Sequence, residues 1–302
     1  MRFQQRWVAG TWDKMDFHYA MTECALLYIV DGKAVMTNNQ SADNNTPNRF
    51  ESMVSAGSDI AGAAVGGALG FLAAGPGGAA AGGAGGAAAA HALRKIGQEA
   101  SSRLLGPRER VRVGAAVAIA AEHIRNRTER GERPRQDDFF EEKQNHRSDA
   151  EEVAESVLLR CQREAEERKV RLMAFLIGNI AFNADINVGL AHQLVRTAEE
   201  LTYRQLCILK IAAVMEDRRA LHQGSYREQL NFDKALYSVL YECYDLHHRG
   251  LINFGGSAVL GLTDVEPTSM TVQGMGADLF NGMGLATIPQ ADLDPIIAQL
   301  SR

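Results

Sequence analysis

From Ile60 to Ala90 the chain carries no charged side chain and is built almost wholly of Gly and Ala. Its only large apolar residues there are Ile60, Val65, Leu69, Phe71 and Leu72. The glycines are ordered. Gly62, Gly66 and Gly70 recur at every fourth position, as do Gly78, Gly82 and Gly86, and Gly75-Pro76-Gly77 stands between the two series. Residues four apart share a helix face, so each series would form a groove that admits another helix backbone. Gly75, Pro76 and Gly77 break a helix and would act as its hinge. The pattern predicts a helical hairpin with arms near Gly57–Ala74 and Gly78–Leu93, packed through glycine.

Magnitudes limit what such a hairpin can do. An arm of about 16 residues rises about 24 Å, against a hydrocarbon core of about 30 Å. The five large apolar residues contribute roughly −2 kcal/mol toward insertion, and all five lie in the first arm. An isolated helix of this composition would melt in water, because each glycine costs about 1 kcal/mol relative to alanine. The hairpin therefore needs a partner: a membrane, further copies of itself, or the rest of the protein. Beyond it come Arg94, Lys95, Arg103, Arg108, Arg110 and Arg112. A basic cluster there, with Arg94, Lys95 and Arg103 nearest, reads as the cytoplasmic flank of a membrane segment. A buried hairpin in a soluble domain and a flexible linker are the competing readings.

The chain divides into a poorly ordered segment, 1–52, with a short β-hairpin around Asp31-Gly32, then the hairpin, 53–95. A helical domain, 96–200, and a C-terminal domain, 201–302, follow. Met53 stands just before the organised part and offers a second start, and Met1–Gly10 does not read as a secretory leader. Pro107 suits the first turn of a helix running to about Arg130. Ser148 and Glu151 have capping-box spacing and open a helix expected to continue to about Ile180, through a charged section, Arg163–Arg171. A helix over 188–200 follows. Thr202 and Gln205 open another, and one more, near Phe232–His248, stops at Gly250. Phe139-Phe140 should anchor the loop between. Glu141-Glu142 and Glu151-Glu152 read as solvated faces. The four cysteines, Cys24, Cys161, Cys207 and Cys243, are too scattered for a metal or disulfide framework and read as reduced, buried thiols.

From about Leu201 to Leu285 the order of features resembles winged-helix domains. The carriers are Arg249-Gly250-Leu251-Ile252 closing a helix, a turn-rich stretch, and Met270–Gly274. The resemblance implies a small α+β fold. Its recognition helix here balances Asp233, Glu242 and Asp245 against Lys234, His247, His248 and Arg249, a poor match to phosphate, so nucleic acid is not expected as a partner and a protein partner is. The layout as a whole resembles uncharacterised bacterial proteins of the abortive-infection alpha type. That implies a non-enzymatic role at the inner membrane, cytoplasmic side, in stress or phage defence. Membrane lipid and other copies of the chain would be the partners of the hairpin.

No phosphate loop, nucleophile elbow or His-Glu-x-x-His site is present, so no catalytic residue, metal or cofactor is expected. The expected fold is mainly α: a Gly/Ala-rich helical hairpin, a helical domain and a winged-helix-like α+β C-terminal part. The function expected is anchoring or oligomerisation. The alternative is a soluble, cytoplasmic winged-helix DNA-binding regulator.

Overall fold

The structure is a computed structural model and describes residues 88, 91–93, 95–97, 99 and 105–302, apart from 145, 229–231 and 257. The expected β-hairpin, most of the glycine hairpin and its Gly-Pro-Gly hinge lie outside the described residues. What is described is mainly helical, with one two-stranded sheet.

Residues 88–99 are helical wherever described, and Leu93 and Ile96 are buried there. Helix α1, Pro107–Glu129, opens on Pro107 as the spacing predicts, and the Gly106 amide donates to Glu109 Oε2 at 2.7 Å. Its apolar residues are small, and Ala116, Val117 and Ala120 are fully buried. The chain then passes through a short 3₁₀ turn, Asp138–Phe140, in which Phe139 is buried. Helix α2, Asp149–Arg163, is capped by Ser148, whose hydroxyl accepts from the Glu151 amide at 3.3 Å.

The single long helix expected from Ser148 to Ile180 is broken. Helix α2 stops at Arg163, the backbone is extended at Glu164, and α3 runs Glu167–Ile180. The reason lies in Lys169, whose side chain is only 3% exposed. Its ammonium reaches Glu164 Oε2 at 2.7 Å and the carbonyl of Glu199 at 3.0 Å. Reversing the chain at Glu164–Glu166 makes that contact and lets α2 and α3 both pack on α1. The charged section that read as an exposed helix is therefore the corner. Ala165, at that corner, is exposed.

Helix α4, Val188–Glu200, covers α2 and α3, with Ala191, Leu194 and Val195 fully buried. Helix α5, Tyr203–Ala213, has the capping box in full: Thr202 accepts from the Gln205 amide, and Gln205 accepts from the Thr202 amide. A short helix α6, Met215–Arg218, precedes α7, Lys234–His248. Helix α7 buries Leu236, Val239, Leu240, Cys243 and Leu246, the face expected from their spacing. Gly250 caps it with φ +68°, a left-handed conformation that favours glycine.

Strands β1, Ile252–Asn253, and β2, Thr271–Val272, pair antiparallel, with Ile252 opposite Val272. Helices α8, Met275–Gly282, and α9, Gln290–Leu300, complete the fold. Gly276 at the start of α8 lies so close to β1 that an added Cβ would stand 2.0 Å from the Leu251 carbonyl oxygen. One apolar core runs from Ala92 to Leu300, so the segments expected as domains 96–200 and 201–302 share buried contacts. Arg168 and Tyr203 both reach Asp292 of α9, at 2.7 and 2.8 Å.

Lys169→Ala should destabilise the fold by about 3–5 kcal/mol, because it leaves Glu164 and the Glu199 carbonyl without their buried partner. Urea unfolding of the variant against the parent measures this. A change below 1 kcal/mol, in order of magnitude, would mean that the corner does not depend on Lys169.

Candidate ligand cleft

Three pieces of backbone converge where α1 and α3 end. The last turns of α1 carry His123 and Arg127, four apart and so on one face, and Arg130 follows at the cap. The end of α3 carries Asn179, and the turn after it carries Phe182, Asn183 and Ile186. Helix α8, from its middle to its end, adds Asp278, Asn281 and Gly282. With Glu132 these residues line an open cleft of about 470 Å³. Two other hollows, beside Ile96 and Leu105 and beneath Phe139 and Phe140, hold about 10 and 20 Å³ and are apolar packing gaps.

Asn179 organises the floor. Its amide nitrogen donates to the carbonyls of Gly282 at 2.8 Å and Asn281 at 3.3 Å. That fixes its oxygen as the acceptor, which takes hydrogen bonds from Arg127 Nη1 and His123 Nε2, each at 2.8 Å. His123 therefore carries its proton on Nε2. Burial pushes the His123 pKa down from 6.5, and the neighbouring Arg127 and Arg130 add to this, against the opposing Asn179 bond and Glu132. The imidazole is thus neutral near pH 7 and lies on the Phe175 ring, with centroids 4.9 Å apart. Arg127 also stacks on Phe182 at 4.4 Å and holds Glu132 at 2.6 Å. Arg130 shares the same carboxylate at 3.1 Å but is 64% exposed. The carboxylate of Asp278, across the cleft and half-buried, has no hydrogen bond or ion pair among the described residues.

The lining holds no Ser, Thr, Cys, Lys or Tyr, and its groups of nucleophilic type are the His123 imidazole and the Glu132 and Asp278 carboxylates. Among the described residues no cluster of three or more His, Cys, Asp or Glu could hold a metal. Cys161, Cys207 and Cys243 are buried and free, and burial pushes each thiol up to about 12. They are unreactive packing groups.

The residues singled out in the sequence do not meet here. Gly62, Gly66, Gly70, Gly78, Gly82, Gly86, Gly75, Pro76, Gly77, Arg94 and Arg103 lie outside the described residues. Lys95 is described. Its ammonium sits 3.0 Å from Glu142 and 2.9 Å from Glu151. Glu151 is thereby buried, with its side chain 3% exposed, where a solvated face was expected. Arg108 reaches Glu167 at 3.0 Å, and Arg112 donates to the Gln162 carbonyl at 2.7 Å. No motif marks the cleft residues. The one sequence signal available was the His123–Arg127 spacing, which puts both on one helix face.

Set against known protein families, curated proteins and solved structures, the chain has no match.

In a proton NMR titration the His123 ring should titrate below 6.5. The sign for stability follows from the lowered value. The contribution of neutral His123 is present above pH 6.5 and is lost as pH falls through its folded pKa. The stability advantage of the parent over His123→Gln should therefore shrink on acidification from neutral pH, and an advantage that grows would contradict the geometry.

Proposed function

We propose that the chain is a non-enzymatic, membrane-associated bacterial protein whose glycine hairpin anchors or oligomerises a helical body on the cytoplasmic side. The observation that carries this reading is the pair of fourfold glycine series about Gly75-Pro76-Gly77, within a stretch free of charge from Ile60 to Ala90. No described helix is long and apolar enough to cross a membrane. The anchoring role thus rests on the hairpin alone.

The body supports the reading through its ion pairs. The residues just after the hairpin are tied to the body by ion pairs, Lys95 to Glu142 and Glu151, and Arg147 to Glu99 at 2.6 Å. A hairpin attached there would transmit its position to the body instead of swinging freely. Arg110 remains exposed without a partner among the described residues and is available to a lipid headgroup. A role in stress or phage defence rests on the resemblance in layout.

The DNA-binding alternative draws less support. In that reading helix α7 would serve as the recognition helix and the β1–β2 pair as the wing. Yet Arg204, which packs beside α7, is held by Glu242 at 2.6 Å, and Arg249 by Asp245 at 2.9 Å and Glu200 at 3.0 Å. The outward face of α7 instead presents Tyr237 and Tyr241, 51% and 57% exposed. Tyrosines suit a protein contact better than a phosphate backbone.

Membrane fractionation of the full-length chain tests the proposal. The chain should sediment with membranes, resist carbonate and enter detergent. Gly66→Leu with Gly70→Leu should abolish hairpin packing, read as loss of cross-linked oligomers. Recovery of intact protein in the soluble fraction without detergent would contradict the anchoring role.

A further inference from the structure

We propose that the cleft between the last turns of α1 and α3 and helix α8 binds a small zwitterion, a free amino acid or a short peptide. Its carboxylate would sit at Arg130 and its ammonium at Asp278. The proposal is independent of the anchoring role.

The argument is one of charge and its placement. Four ionised side chains line the cleft: Arg127, Arg130, Glu132 and Asp278. The neutral imidazole of His123 adds no charge. On the α1 side two guanidiniums share the single carboxylate of Glu132, so that wall keeps an excess positive charge. Arg127 is engaged at every nitrogen: Nε and Nη2 go to Glu132, Nη1 goes to Asn179, and its face lies on Phe182. Arg130 makes one ion pair and has donors to spare. On the opposite wall, Asp278 carries a negative charge that no side chain answers among the described residues. The two uncompensated charges face one space and form no ion pair with each other. A ligand that bears both signs satisfies each of them.

Other chemistries fit less well. A phosphate or dicarboxylate would meet Arg130 but also Glu132 and Asp278. A polyamine would meet those carboxylates but also two guanidiniums. A sugar or nucleobase needs an aromatic face, and Phe182 already carries Arg127 while His123 lies on Phe175. A zwitterion uses the polar rim too. Asn281 is exposed with no side-chain partner among the described residues, and Asn183 uses its oxygen for the Asp185 amide and keeps its NH₂ free. These amides can bond a peptide group between the ligand's charged ends. The volume of about 470 Å³ falls within the usual range for small-ligand sites and has room for more than one residue.

Isothermal titration of the full-length chain in mild detergent tests the proposal. The probes are the free amino acids, glycylglycine and alanylalanine, with spermidine, succinate, glucose and N-acetyl-alanylalanine amide as controls. At least one zwitterion should bind, and the acetylated amide, which lacks both charges, should not. Binding confined to the amino acids or to the dipeptides identifies which source the cleft takes. Asp278→Asn and Arg130→Gln should each weaken that binding by about tenfold or more, with the melting temperature unchanged. Three results would overturn the proposal: no zwitterion binds at millimolar concentration, a control binds as tightly as the zwitterions, or Asp278→Asn binds as the parent does.

Discussion

The body depends on the close approach of α1 and α3 at Gly178. An added Cβ there would stand 2.5 Å from Cδ2 of His123, closer than atoms can come without movement. The helices meet this closely because the seam is built of small side chains. Ala116, Ala120 and Ala121 on α1 and Ala174 and Gly178 on α3 are all buried. Dispersion contacts along such a seam are individually weak and collectively large, and they fall away with small increases in separation. The glycine is what leaves room for the His123 ring, tilted 48° against Phe175 and bonded to Asn179.

The cleft follows from that approach. With α1 and α3 clamped side by side, their ends present His123, Arg127 and Asn179 at one level. Asn179 then joins them to α8 through the carbonyls of Asn281 and Gly282. Gly282 and Gly284 repeat the logic on the other side, where added Cβ atoms would press on Leu176 at 3.0 Å and Phe175 at 3.1 Å. A polar site is thus set into a tightly packed junction. Its neutral histidine, engaged Arg127 and unanswered Asp278 are consequences of which helix ends meet there.

Local signals were legible in the sequence wherever chemistry is local. Pro107 at a first turn, Ser148 and Thr202 as caps, and Gly250 with φ +68° each act over three or four residues, and each does what its type implies. The apolar face of α7 was legible because its period is regular. The break at Glu164–Glu166 was not, because Glu/Arg spacing suits a helix and the force that bends the chain, Lys169, bonds to Glu199 thirty positions on. The burial of Glu151 was hidden for the same reason, since its partner Lys95 is far away in sequence. The cleft was the least legible part. His123, Asn179 and Asp278 share no spacing, and only the tertiary packing brings them to one cleft.

The most direct test of this account is Gly178→Ala, followed by urea unfolding and by the NMR signals of the His123 ring. The account predicts a loss of about 1–3 kcal/mol, as overpacking gives, together with displaced ring resonances. Unchanged stability with an undisturbed imidazole would mean that α1 and α3 do not lie as close as described, and the cleft built on their ends would have no basis.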